Sequence, residues 1–518
     1  MLFKDTLDTL PLNLYLAEQI QQGELACAQK LGVDMYQLME KAGHAVFDCL
    51  LAHFSNAHQI VVLAGNGNNG GDAYVVGRLA KQSDMPVLVF CDNPSLKLKG
   101  DAEIARQSYL GSGGTLASFS EMKTLELSPD VVIDGLLGTG FKGGLRPSLA
   151  DLIKYINNWH SPVISIDLPS GLNADSGFVD GECLHADYTV TFVALKLGLF
   201  SMHGPDCVGK LLFAGLGIDS EFSDSYKPVT RLLTKKSVDR LSQRPTNSNK
   251  GNFGHVVCFG GDKGMAGAIF LAAKAALRSG AGKVSVFTHP DNVVIITTLC
   301  PELMVFGFVQ DDNQHLLQNK LTNSDCLILG PGLGKSDWGR ALFAFVTACQ
   351  KQSHNPLVLD ADGLNLLSEN FEMSGFPIHD KLNWVVTPHP LEAARLLSCS
   401  VLNINQYRLN SAKKISERYN SICVLKGSGT LIHSSGVCAI NSSGNPGMAS
   451  AGMGDVLAGV IAGIIASRKT NVNNLQLNVE LAVFLHGLAG DYAAIDGEIG
   501  IIATDLIASL PKAINECY

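Results

Sequence analysis

The chain has 518 residues, with 39 lysines and arginines against 48 aspartates and glutamates, so its formal net charge is −9. This balance argues against a protein that binds nucleic acid through bulk positive charge. A hydrophobic content of 46% with 17% charged residues excludes a disordered chain, and the length predicts roughly two to four domains. The 53 glycines indicate many tight turns or close approaches of the backbone to ligands.

Cysteine usage and hydropathy predict the compartment. The 13 cysteines are an odd number and contain no CxxC pair, which favours reduced, mostly buried thiols over disulfides or a zinc ribbon. The first residues lack the continuous apolar core of a signal peptide, and the apolar run at 456–467 is too short to cross a bilayer. We therefore expect a cytoplasmic protein with no membrane partner.

Short apolar segments alternate with helical patterns along nearly the whole chain. Stretches such as 266–278 and 391–397 have the apolar spacing of helices. Strands that are apolar throughout and separated by helices predict parallel sheets covered on both faces, which is the α/β class. The segments with strand character are residues 60–63, 87–90, 131–133, 163–166, 190–193, 256–259, 284–287, 326–329, 357–359, 384–386 and 422–425.

The polar segment 217–254 marks the predicted domain boundary. It is rich in serine, asparagine and lysine and shows little strand or helix pattern. A cut near residue 225 leaves two domains, 1–225 and 226–518, each long enough to bury its own core.

A glycine-rich loop follows the first clear strand. Gly65, Gly67 and Gly70 fit the GxGxxG fingerprint of dinucleotide-binding turns, and Asp92 follows at the distance expected of a ribose-binding acid. However, the loop also holds three asparagines and Asp72, and a carboxylate there would repel a phosphate. The pattern favours a nucleotide-related site but leaves an ordinary Gly/Asn turn open.

Two further strands of this half end in polar residues. Asp134 follows one strand, and Asp167 and Ser170 follow the next. Because ligands bind at the carboxyl ends of strands in an open parallel sheet, we expect these side chains to converge with Asn69 on one crevice. Their oxygens suit a hard cation. Taken singly, each aspartate is equally compatible with a helix cap or a turn.

These residues resemble the NAD(P)H-hydrate epimerase domain over nearly all of residues 10–220. The shared motifs are NNGGD at 68–72, GLLGTGFKGG at 135–144, IDLPSG at 166–171 and QLMEKAG at 37–43. Many members have glycine after NNGGD, where this chain has Ala73. The resemblance implies that a hydrated nicotinamide dinucleotide is bound by Asn68, Asn69, Gly70, Gly71, Asp72, Gly138, Thr139, Gly140, Phe141, Lys142, Gly143, Gly144 and Asp167.

The same resemblance implies a metal site and catalytic groups. A potassium ion would be bound by Asn69, Asp134 and Ser170. Catalytic roles fall to Asp167 and to Lys196, which lies at a predicted strand end. A lysine there can shuttle a proton, and a solvated lysine is the alternative.

The strongest pattern of the second half lies near its end. Gly452, Gly454 and Asp455 come directly before the apolar helix predicted at 456–467. Successive glycines before a helix leave N–H groups free for negative charge, which the helix dipole also favours. An aspartate at this entrance can accept a proton from a hydroxyl that receives a phosphoryl group. A glycine-rich packing turn with Asp455 as its N-cap is the structural alternative.

Two other strand exits of this half carry candidate ligand-binding loops. Residues 426–430, KGSGT, offer a cation and exposed backbone to nucleotide phosphates, although Lys426 precedes the glycines and so departs from a P-loop. Residues 387–390, TPHP, place His389 between two prolines, where a ligand contact is favoured over a core histidine.

This half resembles the ribokinase-like superfamily and, more narrowly, the ADP-dependent NAD(P)H-hydrate dehydratases, over nearly all of residues 235–515. The shared motifs are GGDKGMAGA at 260–268, GPGLG at 330–334, LDADGLNLL at 359–367, TPHP at 387–390, LKGSGT at 425–430 and GMGDVLAG at 452–459. TPHP is commonly followed by Gly-Glu, where this chain has Leu391-Glu392. By this resemblance the hydrate contacts Ala268, Gly332, His389 and Asp455, and the adenine nucleotide contacts Lys426, Gly427, Ser428, Gly429, Thr430 and Gly454.

Together the two halves resemble the bifunctional NAD(P)H-hydrate repair enzymes. That resemblance implies an N-terminal Rossmann-like domain that interconverts the R and S epimers of hydrated NADH and NADPH. It implies a C-terminal ribokinase-like domain that dehydrates the S epimer with Mg²⁺ and ADP, giving AMP and phosphate.

Two alternatives stay open. The second half is also compatible with a small-molecule kinase, and the first with a protein-binding or regulatory module that uses a degenerate nucleotide pocket without catalysis. In either case the expected partners are small molecules and further copies of the chain in a homo-oligomer, and nucleic acid is not expected.

Overall fold

A computed structural model of the chain describes residues 4, 6, 9–309, 314–374, 383–469 and 474–518. It divides into two compact units, Met1–Arg231 and Leu232–Tyr518. The division falls a few residues after the predicted cut at 225. Within the described residues, no helix has the length and apolarity that a bilayer crossing requires. All cysteines are unpaired, and all except Cys349 and Cys399 are buried.

The N-terminal unit is built on a seven-stranded parallel sheet. The strands of that sheet are β2 (Ile60–Ala64), β3 (Val87–Cys91), β4 (Leu116–Ser118), β5 (Val131–Gly135), β6 (Val163–Ile166), β7 (Tyr188–Phe192) and β9 (Lys210–Ala214). Three small strands lie outside it: β1 (Asn13–Tyr15), β8 (Leu195–Lys196) and β10 (Thr230–Leu233). Its helices are α1 (Ala17–Leu31), α2 (Met35–Phe54), α3 (Asn68–Gln82), α4 (Gly100–Gly111), α5 (Phe119–Met122), α6 (Pro147–Asn157), α7 (Gly204–Cys207) and α8 (Asp219–Ser225).

The strand order of this sheet predicts where a ligand crevice lies. The order is β4-β3-β2-β5-β6-β7-β9, so the chain moves outward from β2 to β4 and then returns to the other side of β2 at β5. In the register, Ala64 at the end of β2 pairs with Gly135 at the end of β5. The diverging loops after these two strands leave a crevice at the carboxyl edge, as in Rossmann-like folds. The small strand β1 pairs in parallel with β8 and antiparallel with β10.

The C-terminal unit also has a parallel sheet, with two antiparallel strands at one end. Its strands are β11 (His255–Phe259), β12 (Lys283–Thr288), β13 (Met304–Gly307), β14 (Cys326–Leu329), β15 (Leu357–Leu359), β16 (Trp384–Val386), β17 (Ile422–Leu425), β18 (Thr430–Ser434) and β19 (Val437–Asn441). Their order is β13-β12-β11-β14-β15-β16-β17-β18-β19. The pairs from β13 to β17 are parallel, and β17-β18 and β18-β19 are antiparallel.

Helices cover this second sheet. They are α9 (Ala266–Arg278), α10 (Val293–Leu299), α11 (Gln314–Thr322), α12 (Asp337–Ser353), α13 (Asp362–Ser374), α14 (Pro390–Leu397), α15 (Val401–Gln406), α16 (Arg408–Arg418), α17 (Met453–Ser467), α18 (Leu475–Ala493) and α19 (Ala503–Asn515). The apolar helix α17 packs between α9 and α18, which explains why it is hydrophobic nearly all round. Its glycines allow this close packing, because a Cβ on Gly459 would overlap the backbone of α9.

The α/β class and each predicted strand are confirmed. One prediction about the boundary segment is wrong: residues 217–254 contain α8 and β10. The sequence analysis does not predict β4 and β9, which lie at the two edges of the first sheet. Strand β4 is partly exposed throughout and β9 begins with the exposed Lys210, so their apolar pattern is weak.

Candidate active sites

The glycine loop after β2 is shaped by two close backbone approaches. A Cβ on Gly65 would overlap the carbonyl oxygen of Leu136, and a Cβ on Gly70 would overlap the carbonyl oxygen of Gly65. The Gly65 N–H donates to the Gly135 carbonyl at 3.0 Å. The glycines therefore allow the first turn of α3 to lie directly against the loops that follow β2 and β5.

We expect Gly70→Ala to destabilise the N-terminal domain by about 1–3 kcal/mol, because the added methyl group has no space beside Gly65. Urea unfolding, followed by amide exchange in β2 and β5, measures the change. Gly67→Ala in the same loop is the matched control for stability, since its Cβ meets no atom within 4 Å. Equal unfolding midpoints for the two variants would contradict the expectation.

Asp134, at the end of β5, organises the next loop. Its carboxylate is fully buried and accepts hydrogen bonds from the Ser170 hydroxyl at 2.6 Å, the Ser165 hydroxyl at 2.9 Å and the Ser170 N–H at 2.8 Å. Burial raises the pKa of Asp134, and these hydrogen bonds oppose the increase. The Leu137 carbonyl oxygen accepts from the Asn69 amide at 2.7 Å and lies 3.5 Å from the Ser170 hydroxyl. The structure thus brings Asn69, Asp134 and Ser170 together around one loop.

Asp167, directly after β6, forms a buried ion pair. Its backbone φ is +67°, a left-handed conformation that aspartate tolerates better than most residues. Its Oδ1 atom is ion-paired with the ammonium group of Lys196. Lys196 is fully buried, and it also donates to the Thr191 hydroxyl and the Phe192 carbonyl, both at 3.0 Å. The alternative of a solvated lysine is therefore wrong, and the ammonium group is held by three acceptors.

A cavity of about 910 Å³ opens at this sheet edge, where the strand order predicts a crevice. Of the predicted substrate residues, Gly70, Gly71, Gly143 and Gly144 are not among its lining, and Asp134, Ser170 and Lys196 also lie outside it. The predicted residues that line the cavity are Asn68, Asn69, Asp72, Gly138, Thr139, Gly140, Phe141, Lys142 and Asp167.

The cavity lining carries charges of both signs. Lys123, Lys142 and Arg146 are basic, and Glu24, Asp72, Asp92 and Asp167 are acidic. Burial raises the pKa of Asp72 well above its ordinary value, and the charges of Asp167 and Glu24 add to the increase. Burial likewise raises the pKa of Glu24 to about 7. The cavity can therefore receive an anionic ligand while keeping carboxyl groups available for proton transfer.

In the C-terminal unit, α17 begins at the predicted glycine turn. Gly452 adopts a left-handed φ of +86° as the residue before the helix, and Asp455 lies in the first turn. Burial raises the pKa of Asp455 to about 7, and Asp360 raises it further while Lys426 lowers it. The N-cap of α17 is Gly452, and Asp455 is the third residue of the helix, so the alternative in which Asp455 is the N-cap is wrong.

Lys426 lies at the centre of this second site. Its ammonium nitrogen is 2.8 Å from Asp360 Oδ1 and 3.7 Å from Glu392 Oε2. Burial acts to lower the pKa of Lys426, but Asp360 and Glu392 together outweigh it and raise the pKa. A Cβ on Gly454 would lie 3.3 Å from this ammonium nitrogen. The predicted nucleotide residues Lys426 and Gly454 are thus adjacent, in front of the helix entrance that carries Asp455.

His389 lies beside Glu392, which also neighbours Lys426. Its Nδ1 atom accepts from the N–H groups of Leu391 and Glu392 at 3.2 and 3.3 Å, so the ring caps α14. Its Nε2 atom lies 3.3 Å from Glu392 Oε1. Burial raises the pKa of Glu392 to about 7, and Lys426 opposes the increase. His389 is half-exposed, so it can cap the helix and still present an edge to a ligand.

Arg408 stabilises the loop 426–430 through hydrogen bonds to its backbone. This arginine is 1% exposed, and its Nη2 atom donates to the carbonyl oxygens of Leu425, Lys426 and Gly429 at 3.1–3.3 Å. Burial lowers the pKa of Arg408 to about 10. The carbonyl groups of this loop are turned toward the arginine. A turn of this kind can bind an anion through its N–H groups.

Ala268 and Gly332 form the remaining predicted contact. Gly332 has a left-handed φ of +59°, and a Cβ there would lie 3.2 Å from the Ala268 Cβ. The same loop is linked to the surroundings of Asp455. The Gly334 N–H donates to Asp362 Oδ2 at 2.9 Å, and the charge of Asp362 acts to raise the pKa of Asp455. Ala268 lies on α9, Gly332 in the loop after β14, His389 at the N-cap of α14 and Asp455 in the first turn of α17, so each belongs to a segment that follows a strand of the second sheet.

Comparison with known proteins covers both units. The bifunctional NAD(P)H-hydrate repair enzyme Nnr of Escherichia coli (strain K12) is 38% identical over 509 residues, which are 98% of this chain and 95% of that protein. The enzyme of the same name from Coxiella burnetii is 39% identical over 505 residues, with 97% and 99% covered. The chain belongs to this family.

Each unit also matches a family separately. Residues 35–198 match the family described as YjeF-related protein N-terminus. Residues 256–512 match the NAD(P)H-hydrate dehydratase family. A crystal structure of a ribokinase-like superfamily protein from Enterococcus faecalis V583 is 32% identical with a TM-score of 0.50, covering 56% of this chain and 97% of that one. The C-terminal unit therefore has the predicted ribokinase-like fold.

The structure also adds residues to both sites of this family member that the sequence analysis missed. Asp360 lies in the motif LDADGLNLL, and Glu392 lies two residues after the motif TPHP. Both could therefore have been proposed as site residues from the sequence. Glu24 and Arg408 stand in ordinary helical segments, α1 and α16, far from any motif. Only the packing of those helices against the sites reveals them.

Proposed function

We propose that this chain is a metabolite-repair enzyme with two activities. The N-terminal domain interconverts the R and S epimers of hydrated NADH and NADPH. The C-terminal domain dehydrates the S epimer to NADH or NADPH with ADP, releasing AMP and phosphate. The observation that carries the proposal is family membership over both units, since each unit keeps a clustered set of the expected residues.

The dehydratase chemistry follows from the cluster around Asp455. Transfer of the terminal phosphoryl group of ADP to the hydrate hydroxyl leaves AMP, and Asp455 accepts the hydroxyl proton. The C–O bond then breaks with loss of phosphate and of the neighbouring ring proton, restoring the double bond. Lys426 and the N–H groups of residues 427–430 bind the nucleotide phosphates in this proposal, which is supported by the ion pair to Asp360 and the open helix entrance.

Magnesium fits this site as a partner of the nucleotide. Asp360, Glu392 and Asp455 are three carboxyl groups around one ammonium group, Lys426, so the site favours added positive charge. In the described part of the chain, no group of three or more His, Cys, Asp or Glu side chains is arranged to hold a metal by itself. Mg²⁺ is commonly bound through one or two carboxylates and the substrate phosphates, which is the arrangement we propose. Its chemistry is to neutralise charge on the transferring phosphoryl group.

Potassium fits the loop around Asp134 in the N-terminal domain. The available atoms are oxygens of Asp134, Ser170 and Leu137, and turning the Asn69 amide by half a turn adds a fourth. Among the described residues, the groups that act on the Asp134 carboxylate are hydrogen-bond donors of Ser170, Ser165 and Leu136, and no lysine or arginine is among them. A buried carboxylate without a cationic partner favours a bound cation.

We expect K⁺ to stabilise the N-terminal domain saturably, by about 2.7 kcal/mol at one hundred times its dissociation constant. Amide exchange in β5 at increasing K⁺, with tetramethylammonium keeping the ionic strength constant, measures the effect. Asp134→Asn should remove it, whereas Asp180→Asn, in an exposed loop of the same domain, should keep it. Identical protection with and without K⁺ would exclude the site.

The test of the whole proposal uses an equilibrated mixture of R and S NADPH hydrate with Mg²⁺, K⁺ and either ADP or ATP. Absorbance of the reduced nicotinamide shows how much hydrate is recovered. We expect complete recovery that needs the nucleotide and outpaces spontaneous epimer exchange. Recovery that stalls when the S form is consumed would exclude the epimerase. Absence of recovery with either nucleotide would exclude the dehydratase.

A homo-oligomer and a cytoplasmic location stay predictions.

A further inference from the structure

Helix α1 forms a wall of the N-terminal cavity. Gln21 and Glu24 are three residues apart, so they share one helix face, and both line the cavity. The Gln21 amide donates to the Thr139 hydroxyl of the glycine-rich loop at 3.4 Å. The N–H of Ala17, the first residue of α1, donates to Asp175 Oδ1 at 2.7 Å. These contacts attach the helix to the loops at the carboxyl edge of the sheet.

Glu24 is the carboxyl group that this helix presents to the cavity. The charged groups that interact with it electrostatically are Asp72 on α3, Asp167 after β6, and Lys196 on β8. Burial is the main cause that raises the pKa of Glu24 to about 7; Lys196 lowers this pKa and Asp167 raises it. Asp92, Lys123, Lys142 and Arg146 are the other charged residues of the cavity lining.

We propose that Glu24 is a proton-transfer group for epimer exchange, acting from the helix wall while Asp167 acts from the sheet edge. This inference rests on the proposed epimerase function of the N-terminal domain. It assigns a role to a residue in α1, outside every motif on which the family resemblance depends.

The reaction needs proton transfer at two stages. To lose its configuration, the hydrated carbon must break its C–O bond: the oxygen takes a proton from Glu24 and leaves as water, while the ring-nitrogen lone pair forms a C=N bond. Water then adds to the other face of that carbon and gives a proton to the Asp167 carboxylate. The C=N electrons return to nitrogen, and proton exchange with solvent through the cavity restores both groups. Atoms and charge balance, and no co-reactant is consumed.

The geometry favours Glu24 over the other nearby groups. Asp72 lies on α3, after β2, and Asp167 directly follows β6, so both belong to segments that continue strands of the sheet. Glu24 lies on α1 and therefore serves a second wall, as proton transfer at two faces of a ring requires. Lys196 has its three hydrogens directed at Asp167, Thr191 and Phe192 and does not line the cavity. It positions Asp167 rather than reaching a substrate. A carboxyl group that titrates near neutral pH can both give and regain a proton.

The test compares Glu24→Gln with wild-type protein in an assay of R/S exchange without nucleotide. We expect kcat to fall by roughly 10²–10⁴-fold, with KM changed much less. In the wild type the exchange rate should fall as pH rises through about 7, because Glu24 must be protonated to act as an acid. Glu24→Gln should lose this pH dependence.

Glu18→Gln is the matched control, since Glu18 is exposed on the same helix, and it should exchange epimers at the wild-type rate. Dehydration of the S epimer by the same preparations reports that the rest of the chain is intact. Absence of exchange in the wild type would overturn the epimerase itself. Wild-type exchange in Glu24→Gln, or a reduced rate with an unchanged pH profile, would overturn only the role of Glu24.

Discussion

Replacing Asp455 by asparagine is expected to slow dehydration of the S epimer by roughly 10²–10⁴-fold, the usual contribution of a general base. Asparagine has the same shape but cannot accept the hydroxyl proton. Because burial and Asp360 raise the pKa of Asp455 to about 7, the wild-type kcat/KM should rise as pH increases through this value. NADPH recovery with ADP and Mg²⁺ measures both effects.

The controls for this variant separate chemistry from folding. Epimer exchange in the same chain should stay at the wild-type rate, because it depends on the other compact unit. Asp496→Asn, an exposed aspartate of the C-terminal domain, should dehydrate normally. Asp455→Asn within tenfold of wild-type activity would mean that another group accepts the proton.

Asp167→Asn is expected to reduce epimer exchange by roughly 10²–10⁴-fold. Asparagine tolerates the left-handed backbone at this position, so the turn itself is kept. The substitution leaves the buried ammonium group of Lys196 without its carboxylate. Removing one partner of a buried ion pair costs about 3–5 kcal/mol of stability. We therefore expect Asp167→Asn to lose both activity and stability, so this variant alone does not separate the two effects.

The double variant Asp167→Asn/Lys196→Met distinguishes the two effects. Removing both charges should restore most of the lost stability, because no buried charge stays unpaired. Exchange of R and S hydrate should stay at the level of the single variant. Exchange restored together with stability would show that the pair is structural and would exclude Asp167 as a reacting group. Urea unfolding followed by amide exchange in β6 and β7 measures the stability.

Much of the fold could be predicted because parallel strands leave a local pattern. A strand buried on both faces is apolar at every position, as in Ile60–Ala64 and Cys326–Leu329. The small strands β1 and β8 lack this pattern because they contain two or three residues each, and their pairing depends on partners distant in sequence. The same limit explains why the boundary segment was expected to lack the regular structure that α8 and β10 provide.

The candidate sites show a similar division. Asp134 lies at the end of β5, Asp167 directly after β6 and Asp455 in the first turn of α17. Chain order alone is enough to predict these positions at a sheet edge. Chain order does not predict that Lys196 is the ion-pair partner of Asp167. Lys196 was identified from the resemblance, but its burial and its three acceptors come from the strands that surround it.

The amino-acid sequence by itself determined the two α/β domains, the glycine turns and the acidic strand ends, because each depends on neighbouring residues and on the period of a strand or helix. Only the tertiary structure decided which charges face one another. The charge of Asp167 acts on Glu24, and Glu392 Oε2 lies 3.7 Å from the Lys426 ammonium nitrogen, because separate elements pack together. Burial then shifts their pKa values, and burial is a property of the assembled fold.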